Sequence, residues 1–397
     1  MLELNKIHNI NCLEGLKLLD DNSIDSIVTD SPYELGFMGK KWDSTGISYN
    51  IEMWKECLRV LKHGGYLLSF GGSRTYHRMA CAIEDAGFEI RDQIMWVYGS
   101  GFPKSMDINK AITAKEKYGN SHSSSIRKAR MGEDYQPTGQ KDWHKGMQFE
   151  TPSNFPDMNS ETELTDNAKQ WEGFGTALKP AHEPIVVARK PLSEKTVAQN
   201  VLKWGTGGIN IADCRVELNG DYKSKPNGRP SLTGLGDNYN PEKANQPDNV
   251  GRFPANLILD EEAGRLLDEQ SGTLKSGGGN KATKGKTNTN YGIYGKYTPS
   301  TTKTYISDTG GASRFFYCAK ASKKERGEGN NHPTVKPLSL IKYLITLVTP
   351  PNGICLDPFE GSGTHILACK ELGFNYIGFE LDKHYCDIAN KRLLSNT

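Results

Sequence analysis

None of the eight cysteines (Cys12, Cys57, Cys81, Cys214, Cys318, Cys355, Cys369, Cys386) falls in a C-x-x-C pair. That absence argues against zinc knuckles and disulfide frameworks. The thiols read as reduced, mostly buried groups of an intracellular protein. There is no run of about 18 apolar residues, and Met1-Leu2-Glu3 opens without a basic, apolar leader. The expectation is a soluble, unexported chain with no membrane partner. Strong net charge is missing too: 49 Lys and Arg stand against 47 Asp and Glu, a net charge of +2 over 397 residues. Whole-chain charge therefore announces no nucleic-acid partner. No internal repeat is visible, and His63, His77 and His182 are not spaced as a metal set.

One local absence says more. From Leu274 to Ser307 there is no Asp or Glu, while Lys275, Lys281, Lys284, Lys286, Lys296 and Lys303 sit among Gly, Thr, Asn and Tyr. Such a stretch cannot build a core. It reads either as a solvated loop or as a phosphate-contacting loop on duplex DNA.

The first hundred residues alternate strand and helix over short connections, the pattern of a parallel sheet. Strands are expected at Ile7–Asn11, Ile24–Thr29, Tyr66–Phe70 and Glu89–Tyr98. Helices are expected at Leu13–Leu19, at Asn50–Lys62 with apolar Ile51, Trp54, Leu58 and Leu61, and from about Arg74. Residues 104–177 and 217–310 read as loops or irregular insertions. Between them lie a strand at Ile185–Ala188, a helix at Thr196–Trp204 and a strand at Ile209–Val216. Sheet patterning returns at Phe315–Ala319, and Pro337 opens a helix. The end of the chain supplies a glycine turn, a helix to about Leu372, the strand Tyr376–Phe379 and a last helix.

Two turns carry chemistry. The strand ending at Asp357 runs into Pro358-Phe359-Glu360-Gly361-Ser362-Gly363-Thr364, a strand-to-helix turn suited to a nucleotide. Gly361 and Gly363 allow a close backbone approach, and Glu380 ends the next strand, where a ribose expects a carboxylate. A glycine turn that merely packs a helix would look similar. Too little chain follows Thr364 for a complete nucleotide-binding fold, so the rest of the sheet must come from earlier residues. Near the N-terminus, Ile24–Thr29 ends in Asp30-Ser31-Pro32-Tyr33, which presents a carboxylate and an aromatic ring at a strand's carboxyl edge. Alone, this could be an Asx turn capped by proline.

Together these segments resemble the DNA amino-methyltransferases of the permuted β class. The matching pieces are NINCLEGLKLLDDNSIDSIVTD at 9–30 with DSPY at 30–33, WKECLRVLKHGGYLLSFGG at 54–72, HEPIVVARK at 182–190, HPTVKP at 332–337 and DPFEGSGTHILACKELGFNYIGFELD at 357–382. The resemblance implies an α/β, circularly permuted Rossmann-like S-adenosylmethionine-dependent fold with a mainly parallel sheet and an irregular inserted target-recognition region. It divides the chain into a catalytic half at 1–103, target recognition at 104–310 (with about 178–190 returning to the sheet), and a cofactor-binding half at 311–397.

Carried over by position, the resemblance makes Asp30, Ser31, Pro32 and Tyr33 catalytic. It implies cofactor contacts from Asn11, Asp30, His332, Thr334, Lys336, Asp357, Pro358, Phe359, Gly361, Ser362, Gly363, Thr364 and Glu380. Lys40, Lys41, Arg314 and Lys323 read either as phosphate contacts or as exposed charge without a DNA role. The cofactor would be S-adenosylmethionine, giving S-adenosylhomocysteine, with no metal. Two residues depart from the family pattern. Ser31 replaces a proline, which a backbone carbonyl contact would tolerate, and Glu360 is expected to point to solvent.

The implied activity is methylation of an exocyclic amino group in double-stranded DNA after base flipping, with N-6 of adenine favoured by aspartate at position 30. N-4 of cytosine is the alternative. A catalytically inactive sequence-specific DNA-binding protein, or a methyltransferase for RNA or protein, are alternatives of other kinds. The expected setting is the cytoplasm of a prokaryotic or phage-infected cell, in association with DNA. A homodimer and a companion restriction enzyme stay open.

Overall fold

The computed structural model describes residues 2–36, 41–101, 105–119, 163–217, 251–275, 309–320 and 335–395. They fall into two compact units, Met1–Ser100 with His182–Thr397, and Gly101–Ala181. No helix among the described residues is long and apolar enough to cross a membrane.

The larger unit is built on a sheet of nine strands: β1 (Lys6–Asn9), β2 (Ile24–Thr29), β3 (Leu61–Phe70), β4 (Glu89–Val97), β5 (His182–Arg189), β6 (Leu257–Asp260), β9 (Tyr317–Ala319), β10 (Ile354–Asp357) and β11 (Asn375–Glu380). Their spatial order is β1-β11-β10-β2-β3-β5-β4-β6-β9. β10 and β11, from the end of the chain, insert between β1 and β2, as a permuted fold requires. Every pairing is parallel except those of β5, which runs against both β3 and β4.

Alternation along the strands divides the core into two layers. Ile27 and Leu67 face one side with Leu16, Trp54, Met53 and Ile83, carried by the helices Cys12–Lys17, Ile51–Val60 and Tyr76–Asp85. Val28, Leu68 and Phe70 face the other side, against Leu340, Leu344 and Ile366 from the helices Leu338–Val348 and Thr364–Leu372. Burying both faces explains the adjacent apolar pairs Ile27-Val28 in β2 and Leu67-Leu68 in β3. Side-chain caps start several helices: Asn11 accepts from Leu13 N at 2.9 Å, Asn50 from Glu52 N at 2.9 Å and Asp260 from Ala263 N at 2.6 Å.

Three sequence expectations are corrected. Ile209–Val216 is not a strand; it forms turns, with a lone bridge between Val216 and Arg252. Residues 217–310 are not wholly irregular, because β6 joins the sheet and leads into the helix Glu261–Ser271. Four strand residues beside a mostly polar helix were masked by the composition around them. Likewise Ile108–Tyr118, inside the stretch read as loop, is a helix. The acid-free stretch begins in β7 (Leu274–Lys275), which pairs in a two-stranded ribbon with β8 (Thr309–Gly310) just beyond the stretch; residues 276–308 lie outside the described residues.

The smaller unit contains the helices Ile108–Tyr118 and Asp166–Lys169 and a bridge between Asp107 and Gly175. Trp171 and Phe174 meet edge to face at 5.4 Å within it.

Candidate active site

β2 and β10 are neighbours, with Cys355 paired to Ser26 and Leu356 to Ile27, so their carboxyl ends lie side by side. The two turns singled out from opposite ends of the sequence therefore adjoin. Thr29 Oγ1 donates to Asp357 Oδ1 at 2.5 Å, and Phe359 N donates to the same oxygen at 2.9 Å. Burial pushes the Asp357 carboxyl up to about 8, and the charge of Glu360 adds to the shift.

The Asp30–Tyr33 turn is held from all sides. Ser31 is buried, and its hydroxyl lies 3.1 Å from Phe70 O, Ser69 Oγ and Met79 Sδ. Serine at this position thus anchors the turn to β3 in place of proline's ring. Pro32 O accepts from Ser48 Oγ, and Tyr33 O accepts from Thr75 Oγ1 at 2.7 Å. Asp43 gathers the backbone beyond: Oδ1 accepts from Tyr33 N at 2.8 Å and Glu34 N at 3.0 Å, and Oδ2 from Leu35 N at 3.2 Å. Glu34 takes the left-handed region at φ 56°, and its carboxylate accepts from Gly46 N and Ser48 N. Asp43 was not foreseen; a carboxylate ten residues beyond the turn has no local signature of this role.

Around Asp30 the charges are arranged asymmetrically. Oδ2 accepts from Lys336 Nζ at 2.6 Å, whereas Oδ1 is buried with no hydrogen-bond partner among the described residues. Lys336 also lies 3.4 Å from Glu183 Oε2, and its ammonium stands 5.3 Å from the Tyr33 ring centre and 5.1 Å from that of Phe70. Burial works against its charge, but Asp30 and Glu183 outweigh burial and raise its proton affinity. Tyr33 donates its phenol to Glu183 Oε2 at 2.7 Å. Burial, then the charges of Asp30 and Glu183, hold that phenol well above its ordinary pKa. Lys336, expected at the cofactor, is thus seated on the Asp30–Tyr33 turn. Glu183 was missed as a site residue, although its segment was noted.

On the neighbouring side, Gly361 and Gly363 take φ 57° and 87°, which makes glycine the fitting residue at both. Gly361 N donates to Glu380 Oε2 at 2.8 Å, and Asp382 N to Glu380 Oε1 at 2.7 Å. Burial pushes Glu380 up to about 7. Asn11 follows β1, whose last residue Asn9 pairs with Glu380, so it belongs to the same rim; its side-chain oxygen is spent on the helix cap. Asn11, Asp30, Phe359, Gly361 and Glu380 remain partly exposed there, while Pro358 is buried.

Several expected contacts have other work. Gly363 is packed so that a Cβ would come 2.6 Å from Ala389 Cβ, which ties this glycine to helix packing rather than to ligand approach. Ser362 O, Ser362 Oγ and Thr364 Oγ1 are all within 3.4 Å of Arg392 Nη1, so these two residues bind the final helix Lys383–Ser395 from inside. Glu360 does not face solvent: its carboxylate is buried, accepts from Ile366 N at 3.1 Å and meets His365 Nδ1 at 3.1 Å. Cys355, His365 and Cys369 offer three potential ligand atoms within 4.8 Å of one another in the same interior, and His365 Nε2 is 3.1 Å from Cys355 Sγ.

Arg314 is corrected as a phosphate contact. It is 8% exposed, and its guanidinium donates to Gly310 O and Gly311 O at 2.8 and 2.6 Å and lies 4.3 Å from the Phe315 ring centre. It also precedes β9, a strand parallel to β6 and β4, and so belongs to the edge opposite the rim. Lys41 opens the short 3-10 helix Lys41–Ser44. Lys40, Lys323, His332 and Thr334 lie outside the described residues.

The chain is similar to known proteins over most of its length. The Type II methyltransferase M.HindIII of Haemophilus influenzae is 23% identical over a 430-residue alignment covering 98% of this chain and 94% of that protein. M.HinfI, also a Type II methyltransferase of Haemophilus influenzae, is 46% identical over 71 residues, 18% of this chain and 20% of that protein. Among solved structures, PvuII DNA methyltransferase (cytosine-N4-specific) aligns with TM-score 0.45 at 14% identity, over 99% of this chain and 89% of that one. The family model described as DNA methylase matches residues 24–391, and the chain belongs to that family.

Proposed function

We propose that the protein methylates the exocyclic N-6 amino group of adenine in double-stranded DNA, using S-adenosylmethionine, in the cytoplasm of a prokaryotic or phage-infected cell. The observation that carries this reading is the orphaned Asp30 Oδ1, a buried acceptor next to the glycine turn. An unmatched buried acceptor costs about 1–3 kcal/mol, and an amino N–H of an everted base would relieve that cost. An amino group conjugated to a ring is a weak nucleophile, because its lone pair is delocalised. A fixed carboxylate drawing on one N–H favours a pyramidal nitrogen and stabilises the positive charge that grows on it. Tyr33 supplies a ring for stacking on the base, worth about 1–3 kcal/mol.

The residues of the rim fit the cofactor. Glu380, buried yet partly open beside Gly361, suits ribose hydroxyls, and Phe359 and Gly361 line the approach. When bound, S-adenosylmethionine supplies a methyl whose bond to the sulfonium sulfur breaks as the bond to the amino nitrogen forms. Asp30 Oδ1 then holds the proton that the nitrogen sheds. Asp357 keeps the glycine turn in register with β2, which lets alignment carry much of the rate.

Neither departure from the family pattern disturbs Asp30. Ser31 and Glu360 are both absorbed by internal hydrogen bonds, which favours an active enzyme over a binding protein that has lost catalysis. Aspartate at position 30 is the basis for adenine over cytosine, and we assign target recognition to 104–310. Expression in a methylation-deficient host, followed by sequencing of methylated DNA, tests the reading. N-6 methyladenine in one sequence context is expected; N-4 methylcytosine would overturn the choice of base, and unmodified DNA the activity.

A further inference from the structure

β5 is the reversed strand of the sheet, and its direction has a chemical result. Phe70 pairs with Ile185, and Gly71 N donates to Pro184 O at 2.9 Å, so the beginning of β5 lies at the edge where its parallel neighbours end. That reversal delivers Glu183 to the catalytic rim. One oxygen, Glu183 Oε2, receives the Tyr33 phenol at 2.7 Å and stands 3.4 Å from Lys336 Nζ. The same ammonium grips Asp30 Oδ2 at 2.6 Å.

We propose that Glu183 and Lys336 are positioning residues for methyl transfer, which lock the Asp30 carboxylate and the Tyr33 ring into one unit. The proposal rests on the functional reading above. Asp30 has two oxygens, and rotation of its carboxylate would exchange them. With Oδ2 tied to Lys336 that rotation is stopped, and Oδ1 stays presented to the incoming amino group. Lys336 in turn cannot follow Asp30, because Glu183 holds it from the other side and the rings of Tyr33 and Phe70 flank it. Two carboxylates against one ammonium leave the cluster with a net negative charge. That sign suits a target nitrogen that becomes positive during transfer, whereas a lone Lys336 beside Asp30 would oppose it.

The test compares Glu183→Gln, Lys336→Met and the double variant with the wild-type chain, on duplex DNA methylated by the wild type. Three quantities are read: the single-turnover rate, the equilibrium affinity for S-adenosylmethionine and the melting temperature. The rate should fall about tenfold in Glu183→Gln and about 10²-fold in Lys336→Met, the scale set by losing alignment of a reacting group. The double variant should be no slower than Lys336→Met, since Glu183 acts through Lys336. Cofactor affinity should stay within about twofold while these rates change. Glu183→Gln keeps the size and the Tyr33 acceptor, so its melting temperature should match the wild type even if Lys336→Met loses stability. Undiminished rates, losses that multiply in the double variant, or cofactor affinity falling in step with rate would each overturn the proposal. A wild-type chain that binds cofactor but methylates no DNA would overturn the functional reading, and this inference with it.

Discussion

Thr29 and Asp357 share a hydrogen bond of 2.5 Å although 328 residues separate them. This bond joins the strand that ends in the Asp30 turn to the strand that ends in the glycine turn. Replacing Thr29 by Val keeps the shape and removes the donor. Stability in urea should fall by about 1 kcal/mol, with cofactor affinity weakened. A variant matching the wild type in both would show that the bond does not couple the two turns.

Asp357 also sets a pH dependence. Its carboxyl is at about 8 in the fold against an ordinary 3.8, chiefly through burial and then through Glu360. The folded chain therefore binds this proton more tightly than the unfolded chain does. Its contribution to stability is full below about pH 4 and is lost as pH rises toward 8. Urea midpoints taken from pH 5 to 8.5 should flatten in Asp357→Asn, which keeps an oxygen for Thr29 and Phe359 N. An unchanged slope would assign the dependence to other groups.

Glu380 is pushed up to about 7 by burial. Ribose hydroxyls donate best to an ionised carboxylate, so affinity for S-adenosylmethionine should rise between pH 6 and 8. In Glu380→Gln that part of the rise should disappear and overall affinity should drop. Titration calorimetry in buffers of different ionisation enthalpy would also detect the proton released on binding.

Asp43 accepts three backbone N–H groups, from Tyr33 and the two residues after it. Asp43→Ala leaves those donors unmatched at a cost of about 1–3 kcal/mol and loosens the turn. Methyl transfer should slow much more than cofactor binding weakens. Equal losses in both would mean that Asp43 supports the whole rim rather than the turn.

What was legible in the sequence were features with local signatures. Strand β2 is a buried strand that stops at the Asp30-Ser31-Pro32 turn, and β10 is one that stops at a glycine turn, so the places of Asp30, Asp357 and Glu380 at strand ends could be read in advance. That the two turns meet is seen in the pairing of β10 with β2. Glu183 and Asp43 act only through contacts across strands and loops, which spacing along the chain does not encode. Glu360 was misjudged because a charge between phenylalanine and glycine looks exposed; its partner His365, on the first turn of the next helix, was the available clue. Arg314 looked like a phosphate contact from charge alone, yet the β9 register carries it to the other edge.

The most direct measurement incubates duplex DNA with methyl-labelled S-adenosylmethionine and the wild-type or Asp30→Ala chain, then digests the DNA and identifies the labelled nucleoside. The expected result is labelled N-6 methyladenine with the wild type and, with Asp30→Ala, a rate lower by about 10²–10³-fold at nearly unchanged cofactor affinity. Unlabelled DNA with the wild type, or equal labelling by the two chains, would contradict the account.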